Sequence, residues 1–331
     1  MSLDVSGIST WSKELSDRAD WIMKPILGGY SMKYLKKMYG IRGNNVLIPT
    51  FDSDVLAQGG YACGYTTSGT TTITQKTVTT VPFKINESIC LQDLEKIFTV
   101  QNLPKAALLE TSDILEMWVN RKLQKASQKI GMAVWQGKTT YTNDTWLKLQ
   151  NGLINDIDAA SDEIIVTGGG AGTAITTSNV RTIFEEAFTN SSTGVMAIPQ
   201  ILDKAVAFCG QDTFVTLRTK LMQDNLYHVD VVSDANSAYS KWEMNYPGST
   251  IKIAGIPELN SMNPVEVGSL PTAVKNRIVI ADPDNLVVAM NAENDISDFD
   301  VWYDKNDDVV KLRMRGFIGT TVLFTDQVVT Y

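Results

Sequence analysis

Between residues 111 and 138 the chain reads TSDILEMWVNRKLQKASQKIGMAVWQGK, its strongest periodic signal. Ile114, Leu115, Trp118, Val119, Leu123, Ala126, Ile130, Ala133 and Val134 recur at steps of three and four, one face of a helix. Glu116, Asn120, Arg121, Lys122, Lys125, Gln128 and Lys129 occupy the other face. Ser112 or Asp113 is placed to cap the start, with Glu116 as capping-box partner, and Gly137 to end the helix. At about 1.5 Å per residue it spans roughly 35–40 Å. Its charges break any apolar run long enough to cross a membrane, and heptads do not continue beyond it. A helix this long and amphipathic in a strand-rich chain needs a sheet, or partner subunits, to lie on.

Upstream the pattern is less self-sufficient. Residues 1–40 read as an arm, with Trp11, Leu15, Arg18, Trp21 and Ile22 at helical spacing in a polar stretch. The two tryptophans need cover, either from this chain or from a neighbouring copy. Pro25 and the Gly28-Gly29 pair interrupt the pattern. Residues 46–49 read as a short strand. Nine threonines between Thr66 and Thr80 then favour extended backbone. Ile73 shares a strand face with Val81, Phe83 and Ile85, and Gln75, Thr77 and Thr79 continue it. The 41–80 segment is therefore expected to be a mostly polar β-hairpin, marginal alone, that projects from the body and laps onto another subunit. Candidate inter-subunit contacts are Trp11 and Trp21 on the arm, and Tyr61, Tyr65, Thr72, Gln75 and Thr77 on the hairpin. Residues 87–103 predict a short helix with Ile89, Leu91, Leu94 and Phe98 inward, and a helical piece holds Trp146, Leu149, Leu153 and Ile154.

After residue 161 strands and helices alternate, the pattern of an α/β lobe. Strands are predicted at 164–166, 205–209 and 249–254. Helices are predicted at 178–191, capped by Ser178 with Val180, Ile183, Phe184, Ala187 and Phe188 inward, and at 211–221 with Phe214, Leu217 and Leu221 inward. The end of the chain is almost all strand: 277–281, 285–290, 299–303, 309–317 and 320–331. This tail is expected to pair with elements flanking the long helix.

Composition narrows the function classes. The 331 residues carry a net charge of -8, which argues against sequence-independent nucleic-acid binding by the chain as a whole. Cys63, Cys90 and Cys209 are too few and too widely spaced for a disulfide framework or zinc cluster, and fit a reducing compartment. The N-terminus lacks the features of a signal peptide. The lone histidine, His228, supplies neither a multi-histidine metal site nor, convincingly, a catalytic triad. The glycine run 168–172 lacks the Lys-Ser or Lys-Thr of a phosphate loop. Asp304, Asp307 and Asp308 lack the EF-hand register and read as a hairpin turn. No catalytic residue, cofactor site or metal site is predicted.

The order of parts, and several stretches within it, resembles the major capsid protein of tailed double-stranded DNA bacteriophages. The stretches are VPFKINESICLQDLEKIF, MAVWQGK, AVAFCGQDTFVTLRTKL, YPGSTIKIAGIPELNSM, IVIADPDNLVVAM and VKLRMRGFIGTTVLF. The resemblance implies an α+β fold with an N-terminal arm (1–40) and an extended hairpin loop (41–80). It implies a peripheral domain (81–160 and 275–331) with a spine helix at about 111–137, and an axial domain (161–274). It also implies a non-enzymatic subunit, assembled in the host bacterial cytoplasm into hexamers and pentamers of an icosahedral head. The implied partners are other copies, a portal protein, a separate scaffolding protein, a decoration protein and packaged DNA bound without sequence specificity; no membrane partner is implied. Alternatives are an encapsulin-type compartment of the same fold, a tail protein, or an enzyme that binds phosphate at the glycine run.

Overall fold

The computed structural model describes residues 30–41, 45–53, 57, 67, 69–90, 111–142, 145–160, 162–168, 173–224, 242–260, 277–290, 300–307 and 309–331. In chain order the first elements are β1 (Lys36–Met38), β2 (Val46–Ser53), β3 (Thr71–Val78), β4 (Val81–Cys90), α1 (Thr111–Gln136) and α2 (Leu153–Ala160). There follow β5 (Ile164–Ile165), α3 (Val180–Thr189), β6 (Val206–Gly210), α4 (Gln211–Gln223), β7 (Glu243–Asn245) and β8 (Lys252–Ile256). The chain closes with β9 (Ile278–Ala281), β10 (Leu286–Met290), β11 (Asp300–Asp304), β12 (Val309–Val322) and β13 (Val329–Thr330).

The spine α1 buries Val119, Leu123, Ala126, Ile130, Ala133 and Val134, the face its periodicity predicts. Trp135, outside that stripe, is also fully buried, with its ring 5.2 Å from that of Phe208. The helix stops at Gln136 for a reason of close approach. A Cβ on Gly137 would lie 2.4 Å from the Ala133 carbonyl oxygen and 2.5 Å from that of Gln150. Gln136 then docks the helix end, its Nε2 donating to the carbonyls of Glu258 (2.5 Å) and Asn260 (3.3 Å).

Two sheets share the core with α1. In the first, β12 carries β4 on one edge over residues 309–318. Its other edge takes β11 and then β10, with β1 parallel to β10. The second sheet has the order β5-β13-β9-β6-β8-β7. Period-two alternation decides its faces. Val206, Phe208, Ala254, Ile256, Val279 and Ala281 join the spine-helix core. Ala207, Cys209, Ile253, Ile278 and Ile280 turn to the opposite side, against α3 and α4. A sheet buried on both faces explains why these strands read as continuous apolar runs.

Several expectations change. Residues 87–90 belong to β4, not to a helix: Ile85 and Ile89 satisfy both a four-residue and a two-residue step, and pairing with β12 selects the latter. Leu91, Leu94 and Phe98 lie outside the described residues, as does His228. Trp146 and Leu149 sit in turns ahead of α2, although both pack on the core. The two predicted strands at 309–317 and 320–331 are instead the fourteen-residue β12, a short 3-10 turn and β13. Gly319 lets β12 run on, since a Cβ there would meet the Thr79 carbonyl oxygen at 2.4 Å. The C-terminal segment is shared between the sheets, β9 and β13 lying in the second. Asn179, not Ser178, stands at the N-cap of α3, and its Oδ1 accepts from the Thr176 N–H at 2.7 Å.

Candidate functional site

β2 and β3 form an antiparallel ribbon separate from both sheets, in the register Val46↔Val78 to Ser53↔Thr71. Its two faces differ because side chains alternate along each strand. One face carries Val46, Ile48 and Val78, which pack near the ribbon root with Ile41, Met38 and Ala289. Further out on this face the hydroxyls of Thr50 and Thr74 meet at 2.6 Å across the strands. The other face is outward. It carries Leu47, Phe51 and Ile73, which are 55%, 63% and 64% exposed. Phe51 is the direct cross-strand partner of Ile73, and Leu47 of Thr77. Among the described residues the ribbon is thus held only at its root, and it presents apolar side chains to solvent along its outer face.

The candidate contacts fall on this ribbon unevenly. Gln75 and Thr77 lie on the outer face with Ile73, while Thr72 shares the opposite face with Thr50 and Thr74. Trp11, Trp21, Tyr61 and Tyr65 lie outside the described residues. Leu47 and Phe51 were not among the candidates, because the sequence does not say which face of a short strand turns away from the body. Ile73 was expected to share a strand face with Val81, Phe83 and Ile85, which are half-buried while Ile73 is exposed. The chain breaks pairing at Thr79 and Thr80 between β3 and β4, so the even position Val78 is buried instead.

A cavity of about 540 Å³ lies at the ribbon root. Lys76, Thr77 and Thr79 line it from the ribbon, and Gln150, Asp156 and Thr321 are among its lining from the body. Gln150 is only 4% exposed, yet neither atom of its side-chain amide has a hydrogen-bond partner among the described residues. Burial pushes the Asp156 carboxyl up to about 7, against a smaller opposing pull from the Lys76 ammonium.

Elsewhere the groups that could suggest chemistry are occupied within the chain. At the start of the glycine run, the Glu186 carboxylate accepts from the Thr167 N–H and hydroxyl (both 3.1 Å) and from the Thr193 hydroxyl (2.7 Å). These bonds, with one from the Gly168 N–H, hold its pKa below the usual carboxylate range, the Thr193 contact contributing most. The first donors of the run therefore serve an internal carboxylate, not a ligand. Asp304 and Asp307 both pair with Lys311 at 2.7 Å. Burial raises the Cys209 thiol far above its ordinary value, which keeps it unreactive. Among the described residues no cluster of three or more histidine, cysteine or acidic side chains could hold a metal. No described helix is long and apolar enough to cross a membrane.

No protein-family model matches the chain, and no curated protein matches it in sequence. Solved structures match in fold. A chain of the capsid of Myoviridae phage XM1 aligns over 90% of this chain and 88% of its own length, at 11% identity and a TM-score of 0.52. The capsid of an empty GTA particle aligns over 92% and 88%, at 14% identity and a TM-score of 0.53. This chain has the phage capsid fold. A chain from Gordonia phage Cozz gives the same result, covering 92% and 85% at 13% identity and a TM-score of 0.54. In each case the capsid fold extends over most of both chains, so the likeness concerns the whole architecture and not one lobe. At these identities it carries topology and no residue roles.

Proposed function

We propose that this chain is the structural subunit of an icosahedral phage head, assembling with copies of itself as hexamers and pentamers around double-stranded DNA, without catalytic activity. The observation that carries this reading is the outward ribbon face, with Leu47, Phe51 and Ile73 exposed on an element that the described residues anchor at its root. Such a face buries little within its own chain and has the reach to cover a neighbour. Closed shells need one chain to make several different contacts that close by symmetry, and obligate contacts of that kind bury large apolar areas. The capsid fold supports the same reading, and the similar capsids favour it over an encapsulin-type compartment.

On this reading residues 1–40 are the arm and 41–80 the extended loop. Residues 81–160 and 275–331 form the peripheral domain, and 161–274 the axial domain. Gln75 and Thr77 contact the neighbour together with the apolar outer face, and Thr72 contacts it from the ribbon's other side. Trp11, Trp21, Tyr61 and Tyr65 complete the contact set. The partners are other copies, a portal, a separate scaffolding protein, a decoration protein and packaged DNA bound without sequence specificity. Assembly takes place in the host cytoplasm and the product is the virion capsid.

The test is electron microscopy of the protein expressed in bacteria, alone and with the scaffolding and portal proteins of its own gene cluster. Closed shells are expected. A chain that stays monomeric in both settings overturns the reading.

A further inference from the structure

The charges of this chain are unevenly placed. The net charge is -8, yet from Met117 to Lys138 there is no acidic residue, and Arg121, Lys122, Lys125, Lys129 and Lys138 are all basic. Most of this stretch is α1, and its buried apolar stripe fixes which side chains face outward. Arg121, Lys125 and Lys129 stand four apart, a row that advances about 6 Å per step along the helix. Arg121, Gln124, Lys125 and Gln128 are exposed, and Lys129 is half-buried beside them. Lys122 pairs with the Glu87 carboxylate on β4. Several cations elsewhere also sit against carboxylates: Arg181 on Glu185 and Asp224, Lys311 on Asp304 and Asp307, Arg313 on Asp300. Arg121 and Lys125 have no such partner among the described residues.

The Glu87–Lys122 pair also shows that α1 lies over the face of β4 that carries its odd-numbered residues. Alternation puts Lys84, Asn86 and Ser88 on the opposite face of that sheet, and all three are exposed. The composition of the outward α1 face then selects a partner. A protein partner is anchored by buried apolar or aromatic side chains, and the exposed residues of this face offer none. Long cations with amides between them, and no carboxylate to repel, suit a partner held by charge, the phosphodiester backbone of a nucleic acid. The row is roughly 12 Å long, which covers about three phosphates of one strand. So few contacts are weak in one copy and add up over the many copies of a shell.

We infer that the outward face of α1, centred on Arg121 and Lys125, is the surface that meets packaged double-stranded DNA, so that the α1 side of the subunit faces the lumen and the Lys84–Ser88 face of the sheet turns away from it. The inference rests on the shell reading above, and adds the residues and the side of the subunit that carry the DNA contact. The row touches phosphates without sequence preference, while the acidic remainder of the chain keeps the contact weak enough for DNA to move.

The experiment compares DNA-filled and DNA-free particles of the unmodified chain. Both are treated briefly with an amine-acetylating reagent, and acetylation of Lys125 and Lys84 is read by mass spectrometry. DNA is expected to slow acetylation of Lys125 roughly fivefold or more and to leave Lys84 within about twofold. Raising the salt from about 50 to about 500 mM is expected to reduce the protection of Lys125. Equal rates at Lys125 with and without DNA, or protection of Lys84 in its place, overturn the inference and leave the shell reading standing. A second measurement identifies the partner. The photo-crosslinking residue p-benzoylphenylalanine, placed at Gln128 and separately at Gln124, is expected to cross-link to DNA in filled particles, with roughly fivefold lower yield once Arg121→Gln and Lys125→Gln are added. Cross-links to an acidic protein in place of DNA, or an undiminished DNA yield in the charge variant, overturn the inference. Absence of particles from the unmodified chain overturns the shell reading, and the inference falls with it.

Discussion

Phe51 and Ile73 sit directly opposite each other across the β2–β3 ribbon, and both leave more than half of their surface to solvent. A cross-strand apolar pair normally stabilises a sheet by packing on what lies beneath it. Here nothing among the described residues lies beneath it. Replacing both by serine is expected to leave the isolated subunit within about 0.5 kcal/mol of the parent, as for surface positions generally. In an assembled shell the same pair would contribute roughly 2–4 kcal/mol per contact. Sedimentation velocity should show loss of particles, with subunits that melt at the parental temperature. Full assembly of the double variant would exclude this face as a contact.

Gly131 in the spine helix reverses an ordinary rule. An interior Gly→Ala change usually stabilises a helix by about 1 kcal/mol. At Gly131 a Cβ would lie 2.7 Å from Cγ of Glu258, a side chain 2% exposed whose Oε1 accepts from the Ser31 N–H at 3.3 Å. Displacing it disturbs the turn on which the end of α1 docks. Gly131→Ala is expected to destabilise by roughly 1–3 kcal/mol, as overpacked cores do. Urea denaturation measures this, and a gain in stability would mean that Glu258 yields at no cost.

Asp156 sets a pH dependence. Its folded pKa, about 7, lies above the ordinary value of 3.8. The folded state therefore holds a proton that the unfolded state releases, and the carboxyl costs stability as pH rises from about 4 to 7. Asp156→Asn removes that cost. The variant should match the parent near pH 4 and exceed it by about 2 kcal/mol at pH 8, after allowance for the cavity's access to solvent. Thermal melts across this range check it, and a constant difference between variant and parent would rule the mechanism out.

Glu186 behaves in the opposite sense. Its carboxylate gathers the Thr167, Gly168 and Thr193 donors, and its pKa is lowered in the folded state. The stabilisation is present above the unfolded pKa and is lost as pH falls through the folded one. Glu186→Gln is expected to cost about 1–2 kcal/mol at pH 7, and the cost should shrink in acid. Gly168→Ala should be at least as damaging, because its Cβ would fall 2.0 Å from the Glu186 carboxylate. Equal stability of Glu186→Gln and parent at pH 7 would remove Glu186 as the anchor of this loop.

Local periodicity was enough for the elements whose partners lie along one face. The stripe on α1 from Val119 to Val134 and the inward residues of α3 and α4 were legible because a helix repeats its buried positions every three to four residues whatever covers them. The alternation of strands and helices after residue 161 was legible in the same way.

Tertiary structure decided the rest, because those outcomes depend on which strand finds which edge. Ile89 fits a helix or a strand, and only pairing with Val310 on β12 selects the strand. Ile73 was expected to share a face with Phe83 and Ile85, yet it is exposed and they are half-buried, because β3 and β4 pair with different strands and Val78, on the other face of β3, meets Ile41 and Ala289. The amide of Gln150, without a partner among the described residues, carries no sequence signal, since satisfaction of a polar group depends on neighbours distant along the chain. The sequence by itself determined the spine helix, the two helices of the α/β lobe with their buried faces, and the architecture class. The exposed face of the ribbon and the cavity at its root came from long-range pairing, where a one-residue shift in register exchanges inside for outside.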